Sequence, residues 1–412
     1  MFSRAYLASG AWVTARYVLV AAAGLVTSFG FANLATKETF GQYQFILALL
    51  ALFSVFALPG LNIAAVKATA KRQPFGVLEA VRRSFQVSLM AVPLLLGSGW
   101  YLITQGEVPL GQAVALAGLL FPFYYAPNTW YAFYEGQLNF RPVAIRTTLS
   151  AAVVTAALFA VLLLGGNLLW LVASFFGVSA AFSAWFYLEI RRRILAGPPQ
   201  RQRQEKKVLD IRYGYRVTAQ KVAYTLTESL PPLAVSVALG HLALADFQLA
   251  NIFLVGVSGL LGALAAIYLP RFFMEDRSKH RRVFQQNIII GVIASLGYFV
   301  VVRLVFLPLY SESYHDSYLI AQALAALPLV IALRTFLVNY YTARDRNFFV
   351  IGVYLAANLV ALLGFWAVSR ESSFIVASVS YLYLLHLSLL LPLMTAYILT
   401  GERSSRDSEP RN

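Results

Sequence analysis

Five charged residues stand inside long apolar runs of this chain: Arg16, Lys221, Glu228, Arg303 and Arg334. A charge in such a run is costly to keep, so it marks a ligand or ion path before anything else. Arg16 and Lys221 form a pair by position. Sliding the second half of the chain on the first by 205 positions sets Phe31-Ala-Asn-Leu34 opposite Ser236-Val-Ala-Leu239. Arg16 lies eighteen residues before Leu34, and Lys221 eighteen before Leu239. At 1.5 Å per helical residue, both sit roughly 27 Å below the outer ends of their helices. Two cations at equal depth suit a diphosphate, with Arg334 as a further cation for the same cavity. The competing reading is that the pair snorkels to inner headgroups.

Lys221, Tyr224, Thr225, Glu228 and Pro232 share one helical stripe. Lys221 and Glu228 are two turns apart, about 10 Å, too far for an ion pair. Glu228 is therefore the candidate for proton or sodium coupling, set against a structural hydrogen-bonding role. Aromatic rings stack on sugars, which makes Tyr224, Tyr124 and Trp130 candidate glycan contacts. Tyr124 and Trp130 belong to a cluster from Phe121 to Tyr134 that also reads as an interfacial anchor. Four scattered histidines and zero cysteines give no metal-site spacing, no thiolate and no disulfide. With no nucleophile–base pair and no phosphate-cradling glycine loop, the chain offers no catalytic residue, and no cofactor is expected beyond a coupling proton or sodium ion.

The elements that position these residues follow from hydropathy and charge. The 412 residues are 59% hydrophobic and 12% charged, with a mean hydropathy of +0.67, far from a soluble profile. Apolar runs of about 20 residues, enough to cross a bilayer core, fall near 11–33, 42–64, 84–104, 112–134, 145–165, 167–190, 215–239, 246–270, 284–307, 318–341, 347–368 and 374–399. Continuous runs of this kind predict helices rather than a β-barrel. The loops alternate in kind. One set carries Lys67, Lys71, Arg72, Arg82 and Arg83, then Arg141 and Arg146, then the arginines of 191–216 and 271–282, then Arg344 and Arg346. The other set, 34–41, 104–112, 165–168, 240–246, 308–318 and 369–373, holds only Lys37 and Arg370. Positive residues stay on the cytoplasmic side, so this rhythm predicts twelve spans with both termini in the cytoplasm of a multi-pass protein of the cytoplasmic membrane.

The net charge of +15 lies at the feet of spans, which points to membrane lipids and excludes nucleic acid as the partner. Arg4 alone precedes the first run, which reads as a retained span rather than a cleaved signal. The polar stretch with Gly197-Pro198-Pro199 divides six spans from six. The expected organisation is an N-terminal six-helix lobe over 1–190, a cytoplasmic linker over 191–212, a C-terminal six-helix lobe over 213–400 and a disordered cytoplasmic tail over 401–412. Two such halves in one orientation imply a pseudo-two-fold axis along the membrane normal.

Short motifs then carry a resemblance. Thr39-Phe-Gly-Gln-Tyr43 resembles the turn after the first span of polysaccharide transporters, the Wzx-type flippases of the multidrug/oligosaccharidyl-lipid/polysaccharide exporter superfamily. The stretch from Trp130 to Phe140 is similar to that family's aromatic exit into a short basic loop, and Leu239-Gly240 to its second-half counterpart. Asn33 departs from the pattern, standing where many relatives carry a basic residue. The resemblance implies an all-α integral membrane protein with twelve transmembrane helices in two six-helix lobes of the MATE-like kind. It also implies alternating-access translocation of a polyprenyl-diphosphate-linked glycan, for O-antigen, capsule or exopolysaccharide synthesis, with a polysaccharide polymerase and chain-length proteins as partners. Two rivals stand beside it. A MATE-like cation-coupled exporter of small molecules would favour acidic residues for cationic cargo. A polytopic glycan polymerase or ligase would need a large outer loop, and the longest here is near 308–318.

Overall fold

The computed structural model describes residues 4–196, 209–274, 277–310, 312–344 and 346–406. Among them there is no strand, and twelve helices are long and apolar enough to cross a membrane. These spans are Gly10–Leu34, Lys37–Ala57, Phe75–Thr104, Val108–Glu135, Phe140–Leu163, Leu168–Leu195, Ile211–Leu239, His241–Gly262, Arg282–Phe306, His315–Thr342, Asn347–Ser369 and Phe374–Ile398. Each overlaps one of the twelve apolar runs in the sequence. A backbone in lipid satisfies its own hydrogen bonds, which is why every run becomes a helix.

By internal packing the chain divides after Thr225, inside the seventh span, into an N-terminal unit, Met1–Thr225, and a C-terminal unit, Leu226–Asn412. The sequence reading put the division at 191–212, of which 197–208 lie outside the described residues. The later boundary has a physical cause. The first half of span seven is pinned to the helix Gly60–Ala70, where the Gly60 N–H donates to Thr218 Oγ1 at 3.1 Å. A Cβ added at Gly60 would come within 2.1 Å of the Gly214 carbonyl, so only glycine allows this approach. The last helix runs Phe374–Arg406. It therefore takes in the first six residues of the stretch 401–412 expected to be a disordered tail, and 407–412 lie outside the described residues.

The two units repeat one packing scheme. In the N-terminal unit span three packs on four, two on four, four on six and five on six; in the C-terminal unit nine packs on ten, eight on ten, ten on twelve and eleven on twelve. A polar bridge also recurs. Thr27 and Thr155 hydroxyls meet at 3.0 Å between spans one and five, and Asn358 donates to Thr227 at 2.7 Å between eleven and seven.

The turn Thr39–Tyr43 is a packing device. Thr36 caps the second span by accepting from the Thr39 N–H. Phe40 and Tyr43 are buried, and their rings stack on Phe31 at 5.3 and 4.6 Å.

Candidate functional site

Two helices of the N-terminal unit break side by side. Span two stops at Ala57, Leu58 takes a left-handed conformation (φ 50°, ψ 61°), and Pro59 opens a separate helix, Gly60–Ala70. Proline supplies no N–H and pushes its predecessor out of the helical region, so the apolar run of 42–64 cannot stay one helix. Span four tightens into a 3₁₀ turn at Pro127–Trp130 before resuming as Tyr131–Glu135. Breaks free backbone groups that other residues must satisfy. Ser84 Oγ donates to the Ala57 carbonyl at 2.6 Å, and Thr218 accepts from Gly60. Asn62 joins the two breaks: its Oδ1 accepts from Thr129 Oγ1 at 2.6 Å, and its Nδ2 donates to the Tyr131 hydroxyl at 3.1 Å.

One turn beyond Tyr131 lies the charged part of this seam. Arg16 Nη1 donates to Glu135 Oε1 at 3.1 Å, with the two side chains 20% and 21% exposed. Lys221 is half-buried and lies within Coulombic reach of the same carboxylate. The charges of Arg16 and Glu135 also act on the Tyr131 hydroxyl. Of the two cations singled out by repeat symmetry, Arg16 thus pairs with Glu135 and Lys221 lies in the field of the same carboxylate, two positive charges to one negative. The sequence reading counted Glu228 as the intramembrane acid; Glu135, which ends span four, corrects that balance. At the foot of this unit Lys67 Nζ reaches Asp210 Oδ2 at 3.1 Å and lies over the Tyr213 ring. The Tyr213 backbone N–H and, after it, Lys67 hold the Asp210 carboxyl below its ordinary pKa.

The aromatic candidates divide. Trp130 is buried at 4% exposure, tilted on Phe186 at 5.0 Å, with the Arg146 guanidinium 5.8 Å from its centre. Arg146 in turn donates to both Glu189 oxygens at 2.9 and 2.7 Å. Trp130 is therefore packing in this state, with no face left for a sugar. Tyr124 is half-buried, edge-on to Tyr125 and Phe176. Tyr224 is exposed on the N-terminal part of span seven; Glu228 is exposed further along it, in the C-terminal unit. Arg303 lies in a π-turn, Val302–Phe306, and is exposed.

Arg334, expected as a further cation for the diphosphate cavity, is enclosed by packing. It is buried at 8% exposure within the C-terminal unit, and its Nη1 donates to His386 Nδ1 at 3.0 Å. Arginine cannot accept, so Nδ1 carries no proton and the ring proton sits on Nε2. The same unit holds a buried carboxylate, Asp246, accepting from Ser317 Oγ at 2.7 Å. Sequence reasoning missed Glu135, Asn62, His386 and Asp246. Asn62 alone carried a plain signal, a polar amide inside an apolar run. No group of three or more His, Cys, Asp or Glu that could hold a metal occurs among the described residues.

Comparison with known proteins places this arrangement. The family model described as polysaccharide biosynthesis protein matches residues 6–275. No curated protein matches by sequence. Among solved structures, an inward-facing multidrug resistance MATE family transporter of the MOP superfamily is similar with TM-score 0.67 at 12% identity, covering 96% of each chain. The eukaryotic MATE transporter AtDTX14 is similar with TM-score 0.62 at 12% identity, covering 95% of this chain and 96% of its own. A MOP superfamily transporter from Pyrococcus furiosus, described as having a binding pocket of reverse polarity, gives TM-score 0.57 at 9% identity over 96% of each chain.

Proposed function

Because the chain belongs to the polysaccharide biosynthesis protein family, we propose that it carries a polyprenyl-diphosphate-linked oligosaccharide across the cytoplasmic membrane by alternating access. The chain is a multi-pass membrane protein with the fold of a transporter, not of an enzyme. The observation that carries this cargo is the pairing of Arg16 with Glu135, with Lys221 in the field of the same carboxylate. The excess charge there is positive, which suits a diphosphate and repels the organic cations that an acidic cavity would take. Arg16 and Lys221 would hold the diphosphate, with Tyr224 beside Lys221's helix face for the first sugar. Both termini face the cytoplasm in this reading, Glu228 serves as the proton- or sodium-linked group, and a polysaccharide polymerase with its chain-length proteins receives the product.

The test is made in cells lacking the protein. They should still assemble the lipid-linked glycan, which then stays on the inner leaflet, hidden from external lectin and revealed on permeabilisation. Glycan open to lectin in intact deletion cells would overturn the proposal. Glycan handling that is unchanged, with altered sensitivity to toxic organic cations, would give the protein to the small-molecule exporters instead.

A further inference from the structure

Glu135 ends a turn, Tyr131–Glu135, whose backbone other residues hold. Tyr131 is fixed by Asn62. Gly136 lies against the helix Gly60–Ala70, where an added Cβ would come within 2.6 Å of the Val66 carbonyl oxygen. The Glu135 side chain itself stays 21% exposed, and its hold on Arg16 is slight: one guanidinium nitrogen meets one carboxylate oxygen at 3.1 Å. Among the described residues that oxygen is the one acceptor Arg16 meets. A part-exposed pair with a single contact contributes little. A phosphate group is the stronger ligand for the same fork, because it offers two oxygens to parallel N–H groups. Lys221 is half-buried in the field of the same carboxylate, so an anion that replaces Glu135 meets both cations. Around the carboxylate and Tyr131 stand Arg16 and Tyr17 from span one and Lys221 from span seven. The cations on the helices packed against this turn are engaged elsewhere: Lys67 with Asp210, Arg146 with Glu189, and Arg141 over the Trp12 ring.

We propose that Glu135 is a resident counter-ion of the Arg16–Lys221 site. Its carboxylate fills the place of the diphosphate in the unloaded protein, gives way to an anion of higher charge, and returns to Arg16 as that anion leaves. The inference rests on the flippase reading for the identity of the diphosphate. It makes Glu135 a specificity-determining residue in two respects. A monoanion has no charge advantage over the carboxylate it must displace and is refused, whereas a diphosphate, with more than one negative charge, is taken. The returning carboxylate also competes for Arg16, so the diphosphate leaves faster than it would from two cations without an acid between them.

The experiment uses the full chain in detergent and radiolabelled geranyl diphosphate, with binding read by equilibrium dialysis at neutral and acid pH. Glu135→Gln, neutral and of the same shape, should bind about tenfold more tightly than wild type at neutral pH. The gain should shrink in acid, where protonation of the wild-type carboxylate removes the same charge; the ligand's own protonation acts on both chains alike. Glu135→Ala repeats the measurement should the glutamine variant fail to fold, and adding Arg16→Ala/Lys221→Ala to either should abolish the gain. In sealed vesicles holding a lipid-linked oligosaccharide, Glu135→Gln should transport about threefold more slowly than wild type although it binds more tightly. A merely structural role would weaken binding and transport together. Equal binding by wild type and both neutral variants, or a gain that does not change with pH, overturns the counter-ion. Glycan transport by wild type alongside equal binding would remove the counter-ion alone; tighter binding by the variants with no glycan transport by wild type would leave the counter-ion standing and remove the flippase reading.

Discussion

Spans four and ten occupy equivalent places in the two halves, and the repeat offset of 205 residues sets Thr129 of one opposite Arg334 of the other. Both positions are buried. Thr129 is neutral and its hydroxyl is taken by Asn62, which passes the connection on to Tyr131. Arg334 is charged and its contacts end at one neutral histidine. The N-terminal unit keeps its polar seam inward and closed at this level, placing its cations further along at Glu135. The C-terminal unit keeps a buried cation whose Nε has no hydrogen-bond partner. A repeat that preserves packing can therefore assign its two copies different chemistry, one neutral and internally satisfied, the other charged and only partly so.

The largest effect should come from the residue that pins span seven to the broken end of span two. Gly60→Ala would drive a methyl into the Gly214 carbonyl and the Thr218 backbone nitrogen, both parts of a helix that cannot step aside. We expect a loss of about 3 kcal/mol, the upper range for overpacking, seen as a lowered Tm in detergent. Full stability in that variant would mean that the two helices are not locked together. Asn62→Leu makes the N-terminal unit resemble its partner by leaving the Thr129 and Tyr131 hydroxyls unanswered. Two orphaned groups should cost about 2 kcal/mol together. Arg334→Met should act with the opposite sign, since replacing a buried, poorly answered charge with an apolar side chain of similar length often stabilises, here by about 1 kcal/mol. Equal signs for the Asn62 and Arg334 variants, measured by thermal unfolding, would erase the contrast between the units.

The smallest effect concerns the foot of the N-terminal unit. The Asp210 carboxyl is held low by the Tyr213 N–H and Lys67, so its folded pKa lies under the unfolded value of about 3.9. A depressed acid contributes stability above the unfolded pKa and loses it as pH falls through the folded one. Asp210→Asn should therefore lower Tm slightly at neutral pH and leave it unchanged in acid below both values. A larger deficit in acid than at neutral pH would reverse that assignment.

Much of the fold was legible because a membrane leaves few choices. A run of about 20 apolar residues becomes a helix, and alternation of lysine- and arginine-rich loops separates one run from the next. The break at Leu58 was hidden because 42–64 reads as one predominantly apolar run; Pro59-Gly60 lies within it, but the left-handed residue before it depends on what the freed groups meet. Arg16 and Lys221 were found through repeat symmetry, which is written in the sequence. Their shared carboxylate was not, because Glu135 falls just past the apolar run and reads as loop. His386 was one of four histidines with no distinguishing neighbours, and its meeting with Arg334 depends on the packing of spans ten and twelve. Trp130 shows the same limit from the other side: an aromatic ring suited to sugar by type is spent against Phe186 and Arg146 by packing.

The most direct test of the proposed transport is made with the purified chain in sealed vesicles that contain a fluorescent polyprenyl-diphosphate-linked oligosaccharide. The fraction of glycan open to an external, membrane-impermeant enzyme is followed over time. Wild type should bring the inner-leaflet fraction into reach of the enzyme, while Arg16→Ala/Lys221→Ala, equally folded by Tm, should leave it protected as in empty vesicles. Protection by wild type identical to that of empty vesicles, in a preparation that expels an organic cation, would contradict the transport of a lipid-linked glycan.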